Sequence, residues 1–220
     1  MDYRVFIGVV FFSLLNSCSF TFKNQDSSVS YFWHQSSTGG GGYITGIIQH
    51  PDDPDILYAR SDVAGVFKTE NVGKTWTAKN NGMQKAHHHH VESICLSMHN
   101  PLILFRGSGD ARNRTIFGSI HKSINGGDSW YRVTDSVNFF GNGPDRMYGE
   151  TIAVDPFDEN FVVAGGYSSG VWTSNDEGET WTYSGLKGER IGVIAFHPYR
   201  KNLLYAGTIS DLGIYGGKKA

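Results

Sequence analysis

Cysteine is nearly missing: Cys18 and Cys95 are the only two in 220 residues. If the leader described below is removed, Cys95 is left alone in the mature body, and no internal disulfide can staple the fold. A basic excess is missing too. Nineteen Lys and Arg face 21 Asp and Glu, for a net charge of −2. Without a basic stripe there is no electrostatic case for a nucleic-acid partner. No 3.6-residue apolar periodicity runs through the chain, which disfavours helical repeats. Ligand chemistry is equally sparse. His87–His90 has no Cys or Asp cluster at metal-ligand spacing beside it and reads as a polar loop. Gly39–Gly42 lacks the Lys-Ser/Thr and helix of a phosphate loop and reads as a flexible lead-in. No metal and no cofactor are expected.

What is present is glycine, 28 of 220 against a typical ~7%, together with many aromatics and enough apolar residues to bury a core. The N-terminus reads as a targeting segment, residues 1–19. Arg4 precedes the apolar run Val5 to Leu15, which is too short to span a bilayer but suits a signal peptide. Ser17 and Ser19 suit an ordinary signal peptidase, whereas Leu15-Asn16-Ser17-Cys18 resembles a lipoprotein box that would put lipid on Cys18. The expectation is a protein that is secreted or lipid-anchored at the cell surface or outer membrane. Residues 20–37 read as a polar tether, and 38–220 as the folded part.

An internal repeat fixes the fold class. Thr69–Trp76, Ser123–Trp130 and Ser174–Trp181 all fit [ST]-x-[DN]-x-G-x-[ST]-W, spaced 54 and 51 residues apart. A second marker precedes each and appears once more: His50-Pro51, Asn100-Pro101, Asp155-Pro156 and His197-Pro198. Proline there ends a strand and presets a turn. Short β-rich runs lie between the markers, so each unit reads as four antiparallel strands. Such units predict an all-β β-propeller. Three complete blades are expected at about 43–84, 91–135 and 150–185, with a partial fourth at 191–217. A propeller normally needs at least four blades to close, so the chain reads as the N-terminal part of a longer protein.

In such a meander the short Pro and Gly turns share one end of each blade. The long connections Lys79–Val91, Gly107–Ser119 and Val133–Glu150 share the other, where binding usually resides. Asp62 belongs to that second face. Aligning Ile56–Ala59 with Phe161–Ala164 and Leu203–Ala206 sets Arg60 opposite Gly165 and Gly207, and Asp62 opposite Tyr167 and Ile209. The scaffold does not require an acid there. The bland alternative is a turn aspartate capping backbone N–H groups. The Asp, Asn, Ser, Thr and Trp of the Gly turns recur in every blade and read as scaffold, as do Phe67 and Trp172. Asn113-Arg114-Thr115 is a glycosylation sequon only in a eukaryotic secretory setting.

The Gly turn resembles the Asp-box of sialidase-type repeats. More specifically, Trp33, the run Gly39–Gly46, His50-Pro51 and Tyr58-Ala59-Arg60-Ser61-Asp62-Val63 resemble the start of the xyloglucanases of glycoside hydrolase family 74. Gly149–Pro156 resembles another stretch of that family. The resemblance implies two seven-bladed propellers facing across a cleft and cleaving the β-1,4-glucan backbone of xyloglucan with inversion, one aspartate coming from each. It maps the general base onto Asp62. An inverting pair of carboxyls stands ~6.5–9.5 Å apart to admit the attacking water. Ala64 stands where the family usually has glycine, and Thr151 where it usually has arginine. The propeller that carries the acid is missing from these residues, so the chain alone is expected to be inactive. Arg60, Phe139, Phe140 and Tyr148 are the candidate substrate-binding residues, and Arg112 and Arg114 share their face. The competing reading is a non-catalytic surface propeller that binds glycan or protein. A sialidase is a distant third, for want of its Arg-Ile-Pro element.

Overall fold

The computed structural model describes residues 32–112, 115–144 and 146–209. The segment read as a signal peptide, Cys18, Asn113, Arg114 and the last part expected of the fourth blade fall outside the described residues, and so does the side chain of Arg112. The chain divides after Gln35, and everything below belongs to the unit that starts at Ser36.

The propeller reading is borne out, with the chain folding into a row of antiparallel sheets whose strands pair in sequence order. The first blade holds β1 (Ile44–Gln49), β2 (Leu57–Ser61), β3 (Gly65–Thr69) and β4 (Thr77–Ala78). The second holds β5 (Val91–Leu96), β6 (Leu104–Arg112), β7 (Thr115–Ser123) and β8 (Tyr131–Thr134). The third holds β9 (Ile152–Asp155), β10 (Asp158–Gly166), β11 (Gly170–Ser174) and β12 (Thr182–Gly185). A pair, β13 (Ile191–Phe196) with β14 (Leu204–Thr208), begins a fourth.

Each Gly turn is built by its own side chains. In the third, Ser174 Oγ donates to Asp176 Oδ1 (2.7 Å), Gly178 N–H donates to Ser174 Oγ (2.8 Å), and Thr180 N–H donates to Asp176 Oδ1 (2.8 Å). Thr69/Asn71 and Ser123/Asn125 make the same bonds in the other two turns. The chain reverses there through left-handed backbone, with φ of 81° at Gly178, a conformation that glycine adopts without the steric cost other residues bear. Asp176 is held down to about 2 by the Thr180 hydroxyl, then by the Ser174 hydroxyl and the Thr180 amide.

Apolar side chains are buried between blades, face to face. Tyr58, Val66, Val91, Ile94, Leu104 and Trp130 form the layer between the first and second. Phe105, Ile120, Val137, Phe139, Ile152 and Val162 form the next, and Val163, Ile191 and Ile194 the third. Trp130 adds a hydrogen bond from Nε1 to the Lys79 carbonyl (2.9 Å), so its polar edge is satisfied while its rings are buried.

Three sequence expectations need correction. Gly107–Ser119, expected as a long irregular connection, is mostly the outer part of a nine-by-nine-residue hairpin of β6 and β7. Its glycines let another backbone lie on it. A Cβ on Gly118 would come within 2.3 Å of both Phe139 N and the Val137 carbonyl, the close approach that glycine in a strand often marks. Gly39–Gly42 is not a loose lead-in either, since a Cβ on Gly40 would lie 2.3 Å from Phe67 Cζ. The histidine run is not simply a polar loop. Ala86–His89 forms a 3-10 turn that buries His88.

Candidate active site

Asp62 follows the last residue of β2 and continues the ladder by one rung, its N–H donating to the Tyr43 carbonyl (3.1 Å). Its side chain folds back so that Tyr43 N–H donates to Oδ1 (2.8 Å). The turn-capping reading is therefore realised, but only one carboxylate oxygen serves it. Oδ2 faces Arg146, whose Nε stands 3.2 Å away. Asp62 is 7% exposed. The glycine lead-in makes room for it, because a Cβ on Gly42 would lie 2.8 Å from Asp62 Oδ1 and 2.5 Å from Ser61 Oγ. Gly42 also has a φ of 92°, so its missing side chain serves both the backbone and the pocket. Each carboxylate oxygen retains a lone pair beyond its present partner, so Asp62 can still accept a proton from water.

Arg60, expected among the sugar contacts, is 1% exposed and turned into the protein. Its Nε donates to Glu150 Oε1 (2.8 Å), Nη1 to Thr45 Oγ1 (2.8 Å) and the Arg146 carbonyl (3.2 Å), and Nη2 to the Tyr148 carbonyl (3.2 Å). Arg60 thus holds the loop that brings Arg146 to Asp62. Glu150 completes the clamp. Its Oε2 accepts from Ile94 N–H (2.7 Å) in β5, and its carbonyl accepts from Ile194 N–H (2.9 Å) in β13. One residue thereby joins the first, second and fourth sheets.

The aromatic candidates separate. Phe139 is fully buried in the layer between the second and third blades and presents no face to a ligand. Phe140 is half-buried, edge-on to Tyr167 with ring centroids 5.5 Å apart. Tyr148 is exposed and stands beside an open hollow of about 300 Å³, with Gly149, Gly192, Val193, Gly207, Thr208 and Ile209. The structure therefore brings Asp62, Arg60 and the Tyr148 backbone together, and leaves the Tyr148 ring open to solvent.

Two acids escaped the sequence reading. The innermost strands of the first, second and fourth blades each start with a bulge, between Ile44 and Gly46, Val91 and Ser93, and Ile191 and Val193. Thr45, Glu92 and Gly192 occupy it. Glu150 holds the same place in the third blade, just ahead of Thr151, whose carbonyl accepts from Gly165 N–H (2.7 Å). Glu92 is buried and accepts a hydrogen bond from Phe140 N–H. Burial pushes its carboxyl up to about 7, against the pull of that N–H, Arg60 and Arg190. Aligning the starts of the innermost strands, and not only their ends, would have shown acids in two of four blades.

No family model matches the chain. A xyloglucanase of Acetivibrio thermocellus is 30% identical over 162 residues, which is 71% of this chain and 19% of that protein. A probable oligoxyloglucan-reducing end-specific xyloglucanase of Neosartorya fischeri is 26% identical over 216 residues, covering 91% of this chain and 26% of that protein. Among solved structures, a GH74 enzyme of Niastella koreensis superposes with a TM-score of 0.68 at 26% identity, over 79% of this chain and 27% of that one. The chain thus spans about a fifth to a quarter of the length of these proteins.

Proposed function

We propose, taking this chain as a relative of the xyloglucanases of glycoside hydrolase family 74, that it supplies the base half of a xyloglucan-degrading hydrolase and that Asp62 is the base. The observation that carries this is the setting of Asp62. It is an acid on the long-connection face, absent at the matching Gly109, Tyr167 and Ile209, and gripped by Tyr43 N–H on one oxygen and Arg146 on the other. In an inverting reaction such a carboxylate takes a proton from the water that attacks the anomeric carbon. A second carboxyl protonates the departing glycosidic oxygen. That second acid is proposed to belong to a longer protein of which these residues form one part, with export through the N-terminal segment and attachment through lipid on Cys18.

Within this reading Arg60 and Glu150 position the base without touching substrate, through the Arg146–Glu150 loop. Tyr148 offers an exposed ring to a sugar, and Phe140 lies deeper behind it. The test is Asp62→Ala in the full-length protein, assayed on xyloglucan by release of reducing ends. Loss of a proton acceptor is expected to lower turnover by ~10²–10⁴-fold. Near-normal turnover would overturn the assignment. Glycan binding with no hydrolysis by the parent protein would favour the non-catalytic propeller.

A further inference from the structure

A second cavity, of about 240 Å³, lies at the second blade and shares no lining residue with the surroundings of Asp62. Its lining comes from three places in the chain: Lys85, His87 and His88 from the 3-10 turn and its approach, Ile116 to Ser119 from β7, and Arg132, Asp135 and Asn138 from β8 and the segment after it.

The charge around this cavity is one-sided. Lys85 and Arg132 are exposed on its walls, and the one carboxylate lining it, Asp135, pairs with Arg132 at 3.4 Å. Below the floor lies Arg106, fully buried. Its guanidinium is met by neutral oxygens, those of the His88 carbonyl and Asn80 Oδ1 (3.2 Å), and by the Trp130 ring at 5.5 Å. Burial pulls its pKa down to about 9, so the guanidinium keeps its positive charge at neutral pH. The ring of His88 sits between those of His87 (4.7 Å) and His121 (4.5 Å). Burial comes first, and the positive neighbours His87, Arg106, Lys85 and Arg132 add to it, holding His88 down to about 4.

The floor also has unmet hydrogen-bonding capacity. His88 and Ser119 are 6% and 2% exposed, and His88 Nδ1 and Ser119 Oγ, both closed off from solvent, have no hydrogen-bond partner among the described residues. A buried polar atom without a partner costs ~1–3 kcal/mol. Phe117, 43% exposed, adds an aromatic flank beside His87 with ring centroids 6.1 Å apart.

We propose that this cavity binds a small oxyanion carried on a ring-sized molecule, such as the carboxylate of a hexuronate unit. Lys85 and Arg132 would meet the anion and Phe117 would cover the ring, while a small opening of the floor would bring the Ser119 hydroxyl and the His88 ring, closed off from solvent in this structure, to its remaining hydrogen bonds. The site is independent of the Asp62 assignment.

The test is isothermal titration calorimetry of the full chain with sodium glucuronate, inorganic phosphate and glucose, each in chloride buffer at matched ionic strength. Saturable binding of glucuronate, with none of glucose, is expected. Phosphate binding as tightly as glucuronate would retain the anion site and discard the ring. Arg132→Ala and Lys85→Ala lie at exposed positions where the fold has little at stake. Each is expected to weaken binding about tenfold or more, the loss of one charge-assisted hydrogen bond, with the thermal unfolding curve unchanged. No saturable heat from either anion, or equal affinity in both variants and the parent, would overturn the proposal.

Discussion

Replacing Glu150 by alanine is expected to loosen three sheets at once. The change removes the carboxylate that pairs with Arg60 Nε at 2.8 Å and accepts from Ile94 N–H at 2.7 Å, while leaving the backbone bond to Ile194 in place. Arg60 stays 1% exposed, so its guanidinium loses its counter-charge where water reaches it poorly. Removing one partner of a buried pair costs ~3–5 kcal/mol, and an orphaned N–H adds ~1–3. Glu150 is itself 27% exposed, and water entering the vacated space solvates part of what is left. That discount brings the expected loss to about 3–4 kcal/mol. For a domain of this size each kcal/mol shifts Tm by ~2–4 °C, so Tm should fall by roughly 6–16 °C. Calorimetric melts of the parent, Glu150→Ala, Arg60→Leu and the double variant provide the measurement. The double variant should melt well above the sum of the two single losses, because no unpaired charge remains. A shift under about 2 °C for Glu150→Ala, or strict additivity across the cycle, would refute the clamp.

Two further predictions concern pH. Glu92 has a folded-state value raised to about 7, above the ordinary 4.5. Its contribution to stability is therefore full below about pH 4.5 and is lost as pH rises through about 7, a change of about 3 kcal/mol at most. Glu92→Gln should flatten that decline and be the more stable form at pH 8, as urea midpoints at pH 5 and pH 8 will show; parallel curves for the two proteins would count against it. Asp176 has the opposite sign. Its folded value is lowered to about 2 from 3.8, so its contribution is present above about pH 4 and disappears as pH falls through about 2. Asn71 and Asn125 make the same turn without a charge, so Asp176→Asn should fold normally and lose only this acid limb, read from melts between pH 2 and pH 5.

The repeat was legible because its turns are local. A hydroxyl, an amide or carboxylate and a glycine within eight residues satisfy one another, and the spacing alone announces them. Asp62 was singled out for the converse reason, as the residue that breaks the pattern. What escaped was direction. Sequence put Arg60 and Phe139 among the candidate sugar contacts, but a position in the chain does not tell a side chain to point outward. Arg60 turns inward because Glu150, 90 positions away, offers it a counter-charge. Phe139 turns inward because Gly107, Gly109 and Gly118 leave a trough for its segment. The glycine lead-in was misread for a similar reason, since its tight fit against Phe67 and Asp62 depends on partners well beyond the run itself. Glu92 and Glu150 were hidden by the bulge, which breaks the two-residue alternation on which a strand reading depends.

The sheets described here are not joined to one another by a backbone ladder. Among the described residues no strand ladders with a strand of another blade, so what lies between blades is packed side chains and single hydrogen bonds, pinned by Glu150. In a continuous sheet, inserting or deleting a strand shifts the register of every later rung. In this architecture a whole blade can be gained or lost in descent while its neighbours keep every rung of their own ladders. What such a change requires is two apolar faces of matching shape. Propellers of different blade number are then one mutational event apart, and the residue to watch across such an event is the pin.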